Sequence, residues 1–256
     1  MLPFERLVLA YLAFFALAAP FTRVERRRQV RTVLAAAAGA GVVLLATRVL
    51  PLEARLWLPF AYLALGYWLP VPLVRSGRGG ALESWLRRTD AAVRRRVAVT
   101  VPRWLAHAME LGYLACFPLV PAAFALVSIA GSHADVGRFW TSLLAAGYVC
   151  YGTLPWFVSR PPRLIDRDTP TATSTPMARL NAMVLDRVSH HLNTFPSGHV
   201  AVSVAAAISV GHVWPAAGIV LGVVAAAVAL GAVVGRYHFI ADVGLGAGIG
   251  IAVTLG

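Results

Sequence analysis

Eight long apolar runs, at about residues 5–22, 32–50, 54–74, 104–130, 137–158, 197–214, 216–235 and 239–256, leave this chain little choice of solvent. Crossing the hydrocarbon core of a bilayer takes about 20 apolar residues in a helix, and each run is close to that length. Lipid offers backbone N–H and C=O groups no partner, so a span must satisfy them internally. The alternating pattern of a membrane barrel is absent. The expected fold class is therefore all-α, a polytopic membrane helix bundle of about eight transmembrane helices. Charged residues make up only 13% of the chain, against about 25% in an average soluble domain.

The formal net charge of +12 comes entirely from arginine, because the sequence contains no lysine. That excludes a P-loop lysine and Schiff-base chemistry. The arginines cluster between apolar runs, where they meet anionic lipid headgroups, so the bilayer and not nucleic acid is the expected partner. The connectors 23–31, 75–103, 159–195 and 235–238 carry 19 of the 23 arginines and leave Arg6, Arg48, Arg55 and Arg138 for the other side. By the positive-inside rule the 19-arginine side is cytoplasmic. Arg6 and the apolar run to Ala18 loosely resemble a signal peptide, but the cluster from Arg23 to Arg31 resists translocation, so no cleavage is expected. Cys116 and Cys150 lie in apolar runs without metal-ligand spacing and read as small buried hydrophobes.

Two connectors break the pattern. Residues 75–103 are basic, with an interfacial helix expected over Glu83 to Val99, and they divide the chain into an N-terminal three-helix part, 1–103, and a C-terminal five-helix part, 104–256. Residues 159–195 are rich in Thr, Pro and charge. Within them Thr175-Pro176 caps a short helix whose Leu180, Met183, Val188 and Leu192 make one apolar face, as a lid at the membrane surface or as a connector with a buried side.

The chemistry concentrates in three elements on one side of the membrane. In Phe195-Pro196-Ser197-Gly198-His199 a loop enters a helix, and the unpaired N–H groups and positive dipole of a helix start hold phosphate oxygens. Gly198 permits close backbone approach and Ser197 adds a hydroxyl. In Gly235-Arg236-Tyr237-His238-Phe239-Ile240-Ala241-Asp242, His238 and Asp242 are four residues apart, the spacing of one helix face. A carboxylate so placed holds the imidazole and leaves its other nitrogen free to attack phosphorus. Ser159-Arg160-Pro161-Pro162-Arg163 supplies guanidinium groups for phosphate oxygens.

The order of these elements resembles the type 2 phosphatidic acid phosphatase family, the membrane lipid phosphatases related to vanadium haloperoxidases. The resemblance covers roughly residues 105–256, and Pro-Ser-Gly-His is its most specific part. It implies hydrolysis of a lipid mono- or diphosphate through a phosphohistidine on His238, oriented by Asp242. His199 would protonate the leaving oxygen, and Arg160, Arg163, Ser197, Gly198 and Arg236 would hold the phosphate. It implies no cofactor and no metal. Two positions depart from the family pattern. Thr153 stands where the first motif has a lysine, and Ala232 where the third has its arginine, Arg236 lying two residues before His238 instead. This form is similar to a bacterial branch, hence an inner-membrane location, and to inositol phosphorylceramide synthases, which makes transfer of a phosphoryl headgroup between lipids the alternative. A non-enzymatic lipid transporter or binding protein of the same fold is the second alternative.

Other polar residues lie nearby. Glu110 sits inside the fourth run, where an ionisable group is functional by default or partners a buried arginine, and Tyr113 could join it as a substrate contact. His190, His191 and Asn193 precede the second motif, as headgroup contacts or as a solvated loop. The Gly-rich run 244–250 and the Ala-rich run 34–41 let helices pack closely.

Overall fold

The computed structural model describes residues 1–75, 80–96, 102–165, 176–190 and 192–256. These form α1 (Pro3–Ala18), α2 (Arg26–Val49), α3 (Leu52–Arg55), α4 (Pro59–Trp68), α5 (Ala81–Arg96), α6 (Arg103–Leu114), α7 (Cys116–Ala130), α8 (His133–Gly152), α9 (Pro162–Ile165), α10 (Pro176–Val188), α11 (Gly198–Val213), α12 (Pro215–Val234) and α13 (Ile240–Leu255). Among the described residues there is no strand, and an isolated bridge pairs Ser159 with Asn193. The all-α polytopic architecture is the one expected.

Helix occupies every expected span, but length and apolarity separate them. Pro3–Phe21, Arg26–Val49, Leu52–Leu73 and Pro215–Val234 are long and apolar enough to cross a membrane. Trp104–Leu114 with Cys116–Ala130 makes a fifth if the pair, bent by 53°, is one span. The bend has a covalent cause: Pro118 has no N–H to give the carbonyl of Leu114, four residues back, so the helix breaks there. Helices α11 and α13 are apolar but only 16 residues each. These helices mark the chain as an integral membrane protein.

Helix α11 stands at the centre and packs on α7, α8, α12 and α13. It can do so because small residues face it. A Cβ on Gly246 would lie 2.5 Å from the Ser197 carbonyl oxygen, and one on Gly250 would lie 2.5 Å from that of Ala201. The glycine run thus draws α13 against the start of α11, as its composition suggested. On its other side α8 contributes Trp140, Leu143 and Leu144 to one core that also takes in Phe4, Leu12 and Phe15 of α1. That core is continuous across the chain division near residue 103. Both cysteines are buried and free.

The described helices of the two connectors, α5 and α10, pack against the bundle, α5 on α13 and α10 on α6. Helix α5 falls where an interfacial helix was expected and buries Glu83, Leu86 and Asp90. Helix α10 buries Ala178, Asn181 and Leu185, while Leu180, Met183 and Val188 are exposed. The expected apolar face therefore points away from the protein, and Leu192 lies beyond the helix. The helix docks by a narrower seam, centred on the amide of Asn181, and leaves its larger apolar side chains for lipid.

Candidate functional site

The third motif is held by the end of α12 and the start of α13. Helix α12 closes in a Schellman arrangement, in which Tyr237 N–H donates to the Ala232 carbonyl at 2.9 Å and Arg236 N–H to that of Val233 at 3.3 Å. Arg236 takes the left-handed position, φ 58°, that glycine usually fills. His238 N–H also donates to the Ala232 carbonyl, at 3.0 Å, which fixes the histidine just outside the helix. His238 and Asp242 therefore do not share a helix face. Asp242 caps α13, its Oδ2 accepting the Phe239 N–H at 3.1 Å, and the same oxygen lies 3.5 Å from His238 Nδ1. That separation is longer than a hydrogen bond. Both side chains are buried.

The second motif meets it from α11. Ser197 is the N-cap residue, fully buried, and its N–H donates to the Asp242 carbonyl at 3.1 Å. His199 follows, its ring centroid 5.9 Å from that of His238. Gly198 has a different job from the one expected. A Cβ there would lie 2.3 Å from the Tyr151 ring, so the missing side chain makes room for α8. Its N–H donates to Thr194 Oγ1 at 3.3 Å, a hydroxyl standing where a helix start would hold an anion.

The first element divides its arginines. Arg163 lines the histidine cavity and lies over the Tyr237 ring, 4.5 Å from the centroid. Arg160 does not line it; its guanidinium grips Glu83 of α5 at 2.8 and 3.2 Å. Burial works to raise the Glu83 carboxyl, but hydrogen bonds from the Arg160 side chain and backbone outweigh it and hold the group below its usual value. Arg236 lines a separate groove of about 770 Å³, with Arg87, Arg88, Arg94 and Arg95 of α5. Thr153, at the family's lysine position, donates to the Phe195 carbonyl at 2.5 Å and fastens the second motif to α8.

Residues outside the motifs complete the frame. Asn193, read from sequence as a headgroup contact or a solvated residue, is buried, and its Nδ2 donates to Asp242 Oδ2 at 2.5 Å and to Ser159 Oγ at 3.0 Å. Among the described residues no arginine bonds to Glu110; its Oε2 accepts Tyr237 O–H and Asn181 Nδ2–H, each at 2.6 Å. Tyr113 stacks flat on Tyr237 at 4.0 Å and lines the cavity. Burial and the Glu110 contact both push the Tyr237 hydroxyl up. His191 lies outside the described residues.

The cavity bounded by these groups is about 30 Å³, near the share of one water in the liquid. Among the residues that line it, His199 Nδ1, His238 Nδ1 and Arg163 Nε are buried without a hydrogen-bond partner among the described residues, as are Ser197 Oγ and Asp242 Oδ1 of the same motifs. Such orphans are rare in folded proteins, and three of them lining one cavity suit it to hold a polar ligand. Among the described residues no group of three or more His, Cys, Asp or Glu is placed to hold a metal ion.

Two histidines facing each other beside an arginine, with an aspartate behind one of them, is an arrangement suited to phosphoryl transfer. Residues 136–256 match the family model of the PAP2 superfamily. This segment belongs to that superfamily. The PAP2 segment runs from α8 to the chain end and includes both histidines, Asp242, Asn193 and the three motif arginines, but not Glu110, Tyr113 or Glu83. Its membership supports a phosphatase-type phosphoryl transfer activity. No curated protein and no solved structure matches the chain.

Proposed function

We propose that the protein is a membrane-embedded lipid phosphate phosphatase that hydrolyses a lipid mono- or diphosphate through a phosphohistidine at residue 238. The observation that carries this reading is the approach of His199 to His238, 5.9 Å between rings, across a cavity that Arg163 lines. With Nδ1 turned to Asp242, Nε2 of His238 is the nitrogen left for attack on phosphorus. As the N–P bond forms, the ester P–O bond breaks, and His199 in its protonated form gives its proton to the leaving oxygen. Water then attacks the phosphohistidine, returning a proton to His199 and releasing phosphate. Arg163 neutralises charge on the non-bridging oxygens, and Ser197 Oγ donates to one of them.

The arginine asymmetry of the connectors favours the cytoplasmic face of a bacterial inner membrane for this site. The experiment is phosphate release from lipid mono- and diphosphates by the detergent-purified protein, compared with His238→Ala. The expected result is turnover lost by several orders of magnitude in the variant, and an acid-labile phosphoenzyme on His238 in the wild type. A label on Ser197 would sink the assignment. Phosphoryl movement seen only with a lipid alcohol present would make the protein a transferase.

A further inference from the structure

The histidine cavity adjoins a second space. Tyr67, Leu185, Ser189 and His199 line both the cavity and a groove of about 370 Å³ between α4, α7 and α11. Phe60, Leu63 and Ala64 of α4 and Phe117 and Val120 of α7 make its apolar walls. The α4 wall is fixed in place. Tyr11 O–H donates to the Gly66 carbonyl and Tyr148 O–H to that of Tyr62, each at 2.9 Å, and a Cβ on Gly66 would lie 2.2 Å from the Tyr148 ring. At the end of α4, Tyr67 shares a 2.9 Å hydrogen bond with Ser189 and stacks on His190 at 4.4 Å.

We infer that this groove holds the apolar tail of the substrate, a single chain lying between α4 and α7 with its phosphate at His199 and His238. The inference rests on the phosphatase reading above. Tyr113, Tyr237 and Asn193 are buried and line the cavity's side away from the groove's apolar walls, so a phosphoester at His199 meets the groove as its apolar continuation. The volume, about twelve times the ~30 Å³ share of one water, suits a single alkyl chain. Both α4 and α7 precede residue 136, so the two apolar walls come from the part of the chain that the family match does not reach, while α11 within the match completes the groove.

The test compares single-chain alkyl phosphates of roughly four and twelve carbons, since each methylene buried is worth about fourfold in affinity. In Ala64→Trp the ratio of kcat/KM for the long substrate to that for the short one should fall at least about tenfold. In Phe117→Ala, which widens the groove, use of a two-chain phosphatidate relative to the long single-chain substrate should rise. Ratios unchanged in both variants overturn the inference. A readout independent of turnover uses the long alkyl phosphate with a diazirine at its chain end, photolysed on His238→Ala protein. Labels on α4, on α7 or on Val202 and Ser203 of α11 support the groove, and labels confined to residues outside its lining overturn it. Labelling of the groove without phosphate release from any substrate by the wild type would leave the groove standing and remove the phosphatase reading.

Discussion

Asn193 Nδ2 lies 2.5 Å from Asp242 Oδ2, the same oxygen that faces His238 Nδ1 at 3.5 Å. The amide also binds Ser159, so one side chain ties the loop before the second motif to the first and third. Asn193 acts through Asp242 and is a positioning residue. A hydrogen bond to a charged group is worth about 1.5–3 kcal/mol, so Asn193→Ala should lower kcat for phosphate release by roughly 10- to 100-fold and leave KM for the lipid little changed. A variant that raises KM and keeps kcat would show that Asn193 serves binding.

Glu110 should matter to the fold of the site before it matters to chemistry. Its carboxylate accepts from Tyr237 and from Asn181 of α10, whose amide also donates to the Glu110 carbonyl at 2.8 Å, so removing it leaves the Tyr237 hydroxyl and one of the two Asn181 amide hydrogens unpaired, at about 1–3 kcal/mol each. Glu110→Ala should therefore free α10, read as faster amide exchange over 176–188, whereas Glu110→Gln keeps an acceptor and should lose less. Equal exchange in wild type and Glu110→Ala would contradict this.

The Arg160–Glu83 pair makes a pH prediction. Because the folded protein holds the Glu83 carboxyl below its ordinary value, the pair contributes stability that is fully present above the unfolded value of about 4.3 and is lost as pH falls through the folded one. Arg160 stays charged throughout. Melting in detergent should show an acid-side loss that is smaller in Glu83→Gln, the variant being less stable at neutral pH. Parallel profiles for both proteins would rule the pair out as the source.

Arg236 allows backbone and side chain to be separated. A non-glycine residue in the left-handed region carries about 1 kcal/mol or more of strain, so Arg236→Gly should be more stable than Arg236→Ala by roughly that amount. Both lose the guanidinium, so any change in phosphate release should be the same in the two variants. If Arg236→Ala is as stable as Arg236→Gly, the turn carries no such strain.

Much of this was legible in the sequence because it is local. Apolar runs of about 20 residues announce helices, glycines four apart announce a close helix contact, and two motifs flanking a pair of spans must meet on one side. What escaped is tertiary. Glu83 and Arg160 are 77 residues apart, and Glu110 and Tyr237 are 127 apart, so no spacing rule could pair them. At two motif positions the structure adds a partner that motif identity does not announce. Arg160 binds a carboxylate on α5, and Gly198 leaves room for the Tyr151 ring. The His238–Asp242 spacing was right about proximity, but the contact is made through a helix cap.

The shortness of α11 reaches beyond the protein. Its sixteen residues rise about 24 Å, while the hydrocarbon layer is about 30 Å thick. The helix that carries His199 therefore does not match an undisturbed bilayer, which has to thin around it or leave its ends sunk beneath the headgroup plane. On either account, under the phosphatase reading proposed above, a lipid phosphate would be drawn below its resting depth to meet the two histidines. Membrane thickness, set by acyl-chain length in the surrounding lipid, thereby becomes a variable that acts on the site without touching it.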